Sequence, residues 1–176
     1  MLSVIQAQLD LIGLTLPDSP APRGHYTAVT IHNGIAYVAG QVSRLADDVI
    51  TGPVDQETSP DKIKLAAQAC VLRALSVLTT LEGDYEIQQI LFMRGYVNAA
   101  SDFTDHSAVL DHASILLHAI FGERGRHARS AIGVTSLPSA GLLEIELVVA
   151  VAPKATAPTV ESHADTAISI PAGDFT

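Results

Sequence analysis

Cysteine is almost absent, with Cys70 standing alone among 176 residues. A single thiol closes no intrachain disulfide and anchors no thiolate-rich metal site, and it fits a reducing cytosol. Within Leu65-Ala66-Ala67-Gln68-Ala69-Cys70-Val71-Leu72 it reads as core filler rather than as a nucleophile. Cations are scarce too. Ten Lys and Arg against 19 Asp and Glu leave a formal net charge of −9, which opposes nucleic acid as a partner, because that affinity comes from clustered Lys and Arg displacing counterions. Long apolar runs are also missing: Arg73 interrupts the longest helical stretch and Pro138 the other candidate, so no membrane span is expected. Gln6, Gln8 and Asp10 break the apolar N-terminus, no basic segment precedes it, and a cleaved signal is not expected. No phosphate-cradling glycine loop, Ser-His-Asp order or His-Glu-x-x-His is present. His106, His112 and His118 invite a metal, yet each six-residue interval turns a helix by about 240°, so their rings point apart. Neither a metal nor an organic cofactor is expected.

What the chain does have is enough apolar content for one core. At 48% hydrophobic and 16% charged, 176 residues suffice for one well-buried domain and are short for two. The expected domain covers residues 1–152, opening with an amphipathic helix to about residue 13 and an irregular lead-in through Pro17, Pro20 and Pro22 to Gly24. Asn33-Gly34 then divides the runs Tyr26–His32 and Ile35–Gln41, the strongest hairpin signal in the chain. Asp47–Glu57 reads as a loop. Ser59-Pro60-Asp61 supplies a cap followed by proline at the first helical position, and apolar residues at helical spacing from Ile63 onward predict a helix as far as Gly83. Ile87–Asn98 reads as a strand, and Thr104 or Asp105 caps a second long helix to about Phe121. Residues 153–176 lack any sustained period and read as a mobile tail, in which only Ile168-Ser169-Ile170 is apolar enough to dock on a neighbour. The order is ββαβαββ, an α+β arrangement with two main helices on one face of a mixed sheet.

The stretch from Gly122 to Val151 is the most informative. A basic turn, Gly122-Glu123-Arg124-Gly125-Arg126-His127-Ala128, delivers Arg129 and Ser130 onto an apolar strand, and Leu142-Leu143-Glu144-Ile145-Glu146-Leu147 follows beyond a turn containing Pro138 and Gly141. Arg124, Arg126 and Arg129 together suit one small anion. The two strands read as a hairpin. If Ser136 pairs with Gly141, Gly133 faces Glu144, and Arg129 lies about 13 Å away on the same sheet face. A site using both residues is then elongated or shared with a neighbouring subunit. Taken singly, Arg129 is a strand-edge arginine with its head in water and Glu144 a solvated strand residue.

Taken together with Tyr26, Ala39-Gly40-Gln41, Gly95-Tyr96-Val97-Asn98 and Asp102-Phe103-Thr104, these residues resemble the reactive intermediate deaminase, or YjgF-like, family, also known as endoribonuclease L-PSP. The resemblance runs roughly from Leu16 to Val151. It implies a chorismate-mutase-like fold, a cytoplasmic homotrimer with sites at the subunit clefts, and hydrolysis of imines or enamines to ketones and ammonia. Position by position it implies that Tyr26 closes the site, Gly40 offers its backbone, Arg129 clamps a carboxylate and Glu144 binds water. Ala39, His112 and Ala131 depart from the serine, asparagine and cysteine of the best-characterised members, which alters the pocket wall and unsettles 2-iminopropanoate as the preferred substrate.

The chemistry suits those two side chains. A guanidinium fork grips an α-carboxylate through two parallel bonds, and a nearby carboxylate can take the proton of an attacking water. Glu146 shares the side of Glu144 and competes for that role. The apolar strand residues Ala36, Val38, Ile132, Val134, Ile145 and Leu147 are expected to need a covering partner, hence a trimer. The expected activity is hydrolytic deamination of a small carboxylate-bearing imine, with an aminomuconate-type deaminase and a non-catalytic trimeric carboxylate binder as alternatives.

Overall fold

The computed structural model describes residues 2–46, 48–81 and 83–154. It contains helix α1 (Leu2–Leu11), strands β1 (Val29–His32), β2 (Ile35–Val42), β3 (Arg44–Leu45) and β4 (Asp48–Val49), helix α2 (Pro60–Thr79), strand β5 (Tyr85–Asn98), helix α3 (His106–Phe121), and strands β6 (Ala128–Val134) and β7 (Leu143–Pro153). Without α1 and the small β3–β4 pair, which falls partly in the expected loop, the order is the ββαβαββ read from the sequence. Five strands form one sheet in the order β1-β2-β7-β5-β6. Only β5 and β6 run parallel, so the sheet is mixed. The tail beyond Lys154, Ile168-Ser169-Ile170 included, lies outside the described residues.

Local chemistry explains the elements. Asn33 and Gly34 both take positive φ, 48° and 76°, as a two-residue hairpin turn matched to strand twist requires. The Ser59 side chain accepts the Lys62 backbone N–H, with Pro60 opening α2. That helix stops at Thr79, short of the expected Gly83, where a turn returns the chain to β5. The inner face of α2 is largely small, with Ala66, Ala67, Cys70 and Ala74 fully buried, which lets the helix lie close on the sheet. α3 adds Val109, Leu110, Ala113 and Leu117 from the same side, and α1 packs Ile5 and Leu9 into this core. Opposite them stand Ile90, Met93, Ile145, Leu147 and Val149, nearly or wholly buried, each worth about 1.5–3 kcal/mol relative to exposure. Cys70 is the core filler expected. Its thiol approaches the Leu143 carbonyl oxygen at 3.4 Å, and burial pushes its pKa up, with the charge of Glu144 adding to the effect.

The expected hairpin between Arg129 and Val149 does not form, because β5 lies between its two strands. β6 pairs with β5 alone, in parallel, and β7 pairs with β5 and β2. The intervening turn therefore crosses the end of β5, where Asn98 donates from its side chain to the Gly141 carbonyl (3.0 Å) and from its backbone to Leu142 (3.0 Å). Ser139 and Ala140 take positive φ to make the crossing. Strands on either side of a third stand about 10 Å apart, a gap that the eight residues between Val134 and Leu143 span as readily as they close a hairpin.

The real register also reverses the expected facing. Arg129 aligns with Met93 and Leu147, whereas Glu144 aligns with Tyr96. Leu147 and Glu144 are three residues apart, an odd step that places Glu144 on the other face. Arg129 looks to the helices and Glu144 away from them, with Cα atoms about 14 Å apart by strand spacing and rise. A second correction concerns the apolar surface: Ala36, Val38, Ile145 and Leu147 are buried beneath the helices. The open face instead carries Tyr37, 52% exposed, and Ile132, 40% exposed.

Ser43, fully buried where β2 gives way to β3, holds the start of β7. Its hydroxyl donates to the Ile50 carbonyl at 2.8 Å and accepts the backbone N–H groups of Leu142 and Leu143 at 3.1 and 3.2 Å. Ser43→Ala leaves the Leu143 donor buried and unpaired, and urea unfolding should show a loss of about 1–3 kcal/mol.

Candidate functional site

Arg129 sits at the start of the edge strand β6 and reaches across to α3. Its Nη1 donates to Asp111 Oδ1 at 2.8 Å and to Ser114 Oγ at 3.0 Å, and its Nη2 donates to Ser107 Oγ at 2.8 Å. Residues 107, 111 and 114 are spaced i, i+4, i+7, one stripe of a helix. That polar stripe is visible in the sequence, where it reads equally well as a solvated helix face. Behind Ser114 stands His127, whose Nδ1 lies 2.7 Å from the Gly125 carbonyl and whose Nε2 lies 3.2 Å from Ser114 Oγ. A nitrogen facing a carbonyl is the protonated one, so Nε2 accepts from the serine hydroxyl and leaves the serine oxygen to Arg129. Burial lowers the His127 pKa, and the nearby Arg129 lowers it further, so the ring stays neutral in this chain of bonds. Arg129, Asp111 and His127 line a cavity of about 600 Å³ with Ile115, His118 and Ala119.

The expected cluster of three arginines is dispersed. Arg126 lines the same cavity but pairs with Glu123 at 2.9 Å, and Arg124 turns to the Ile87 carbonyl at 3.3 Å. The three α3 histidines separate as their spacing requires. His106 lies over Gly133 beside Phe103, His118 contacts the Gly122 carbonyl, and His112 lines a hollow of about 230 Å³ with Pro60, Ile63 and Phe103. The helix residue against Arg129 is Asp111, and His112, which the resemblance sets at a ligand-contacting position, lies one residue further round the helix. Ala131 stays on the helix-facing side with Arg129, partly buried against the core.

On the opposite face Glu144 leans over Gly40. A Cβ at Gly40 would coincide with the Glu144 carboxylate, so only glycine leaves that carboxylate its place. Glu144 has no hydrogen-bond partner among the described residues and is half-buried; burial raises its pKa above the ordinary 4.5, and the charge of Glu146 raises it further. Glu146 is engaged elsewhere. Its carboxylate takes a hydrogen bond from Arg94 at 2.6 Å, and Arg94 in turn lies 5.5 Å over the Phe92 ring. The pair borders a groove of about 420 Å³ whose walls include Tyr26, Tyr37 and Ala39. Tyr26, Ala39, Gly40 and Glu144 therefore gather on one face, and Arg129, Asp111 and Ala131 on the other.

The endoribonuclease L-PSP family profile matches residues 16–151. Protein TCP17 of Trypanosoma cruzi is 31% identical over 150 residues, covering 82% of this chain and 92% of that protein. Among solved structures, the protein Atu1372 from Agrobacterium tumefaciens aligns with a TM-score of 0.78 at 31% identity, over 85% of this chain and 94% of its own. The E. coli YjgF gene product shares the fold, with a TM-score of 0.51 at 20% identity over 76% of this chain and 93% of its own. No helix among the described residues is long and apolar enough to cross a membrane.

The raised pKa of Glu144 has a consequence for stability. A carboxyl that titrates higher in the fold than in the unfolded chain is most favourable to folding when protonated, and that contribution is lost as pH rises through its folded value. Glu144→Gln should therefore raise the unfolding midpoint in urea at pH 7, by an amount that shrinks as pH falls toward 4.5. A variant less stable than the parent at pH 7 would contradict an uncompensated carboxylate at this position.

Proposed function

The chain belongs to the endoribonuclease L-PSP family, and on that premise we propose that it hydrolyses a carboxylate-bearing imine or enamine to a 2-oxo acid and ammonia. The observation that carries this reading is Glu144, a half-buried carboxylate without a cation or donor among the described residues, held over Gly40 with its pKa raised. A group poised in this way is a better proton acceptor than an ordinary surface carboxylate. Glu146 is the weaker candidate because Arg94 already binds it. Arg129 supplies the clamp: its Nε–H and one Nη2 hydrogen have no partner among the described residues, and two adjacent N–H groups match the two oxygens of a carboxylate.

One chain cannot bring these groups to one ligand, since they occupy opposite faces about 14 Å apart. In this proposal the site forms between copies, with Arg129 and Asp111 from one and Glu144, Gly40 and Tyr26 from the next, in a cytosolic homotrimer whose open sheet faces cover Tyr37 and Ile132. The substrate carboxylate binds Arg129. Water attacks the imine carbon as Glu144 takes its proton, and the leaving nitrogen takes a proton as ammonia departs. RNA is the poorer substrate class for a chain of net charge −9 whose Arg126 and Arg129 are already paired with acids. A carboxylate binder without turnover uses the same Arg129, so ammonia release from imines generated in situ by an amino-acid oxidase, with the spontaneous rate subtracted, decides between the two readings.

Charged hydrogen bonds to a ligand carboxylate are worth about 1.5–3 kcal/mol each, so Arg129→Ala should lower kcat/KM by roughly tenfold to a hundredfold, with little rescue by Arg129→Lys. Near-normal activity in the lysine variant would remove the bidentate clamp. Glu144→Gln should lower kcat by about 10²–10⁴ while binding of an unreactive 2-oxo acid stays within a few fold. Unchanged kcat in Glu144→Gln together with an inactive Glu146→Gln would move the role along β7. Mixing the Arg129→Ala and Glu144→Gln chains after unfolding and refolding should restore activity at about a quarter of the sites if each site draws on two copies. No recovery would place both residues' functions within one chain.

A further inference from the structure

We infer that Arg73, with Arg23 and Arg44 beside it, forms a binding site for a compact dianion of the phosphate type on the flank of α2. None of the three lines the Arg129 cavity, and the inference stands independently of the imine reading.

Three elements bring the arginines together. α2 carries Arg73 in its second half and packs against β3, which opens with Arg44. Ser76, one turn beyond Arg73, donates to the Pro17 carbonyl and fastens the segment before β1 across the helix. Arg23 and Tyr26, on that segment, thereby come within electrostatic reach of Arg73, as does Arg44. Arg44 is buried and donates through Nη2 to Ser139 Oγ at 3.1 Å, whereas Arg23 and Tyr26 are exposed. The cluster therefore has one deep side and one side open to solvent.

These surroundings leave Arg73 unsatisfied. Its Nε–H is buried without a hydrogen-bond partner, the single such side-chain nitrogen or oxygen among the described residues. No carboxylate pairs with Arg73 or Arg23 among those residues either. Burial lowers the Arg73 pKa, and Arg44 and Arg23 lower it further, yet an arginine keeps its proton in a protein. A partly buried guanidinium thus faces two more cations, an arrangement that is unfavourable until an anion joins it. Two arginines that no acid offsets are matched by an anion of two charges. A phosphate-type group carries about −1.5 to −2 near neutral pH on one tetrahedral head, and guanidinium forks grip its oxygens in pairs. A dicarboxylate spreads the same charge over two ends, which suits two separate sites better than one cluster. The Tyr26 hydroxyl supplies one more donor. Free phosphate and the phosphoryl group of a larger molecule share this chemistry.

The test titrates inorganic phosphate, methyl phosphate and succinate calorimetrically into the intact protein, in a buffer free of multivalent anions. Phosphate should bind in the millimolar range or more tightly, and succinate at least about tenfold more weakly, the scale of one charged hydrogen bond. Methyl phosphate binding as well as phosphate assigns the site to a phosphoryl group, and methyl phosphate excluded assigns it to the free anion. Arg73→Met should weaken phosphate by about tenfold to a hundredfold, and Arg129→Ala should leave it unchanged. Without phosphate, Arg73→Met should raise the urea midpoint, because an unpaired and partly buried cation is gone, whereas phosphate should stabilise the parent and not the variant. Arg23→Gln lies on the exposed segment, should weaken phosphate several-fold, and keeps the test open if Arg73→Met does not fold. A parent that binds no phosphate, binding that survives both substitutions, or binding that Arg129→Ala abolishes overturns the inference. Succinate equal to phosphate overturns the phosphate class. An Arg73→Met chain that loses stability without phosphate, beside a parent whose midpoint phosphate does not move, makes Arg73 part of the framework and sinks the site.

Discussion

The position of β7 at the centre of the sheet is the constraint from which the rest follows. Its residues alternate without interruption, with Leu143, Ile145, Leu147, Val149 and Val151 buried and Glu144, Glu146, Val148 and Ala150 only partly so. A strand of this pattern between two partners must set its apolar side against α2 and α3, since turning it over would bury two carboxylates and expose five large apolar side chains. Both glutamates are thereby fixed on the face the helices leave open. Because β5 separates β6 from β7, Arg129 is carried to the far edge and brought under α3.

Each charge around the two half-sites is understood through what holds it. Arg94 binds Glu146, and Glu144 has no cation among the described residues. Gly40 gives Glu144 its place, and burial there makes it harder to ionise. On the other side Ser107, Asp111 and Ser114 fix three of the guanidinium hydrogens of Arg129, and neutral His127 orients Ser114. Arginine suspended by a helix stripe presents one defined edge rather than a mobile charge, which is what a carboxylate receptor needs.

Much of the fold was legible because its signals are local. Asn33-Gly34 specifies a turn through its own backbone preferences, Ser59-Pro60 starts a helix through hydrogen bonds within one turn, and helical spacing marked the buried faces of α2 and α3. Of the site, Arg129 and Glu144 stood out through a family resemblance, and the structure sets each in a defined environment. The Arg129 partners were less visible. Ser107, Asp111 and Ser114 read equally well as a solvated helix face until a strand distant in sequence brings an arginine across, and His112, one step round the helix, looks no different from Asp111 along the chain.

The sequence by itself determined the types and order of the main elements, the turn at residues 33–34, the small inner face of α2 and the alternation that sends Glu144 and Glu146 to the same side. All of these depend on interactions within a few residues, where spacing fixes direction. Only the tertiary structure decided that β6 and β7 flank β5 instead of pairing, that Arg129 and Glu144 consequently face opposite ways, and that Arg94 takes one glutamate and spares the other. A turn from Ser136 to Gly141 is long enough either to close a hairpin or to step over one strand, and the difference is settled by the pairing energy and helix packing of β5, more than thirty residues upstream.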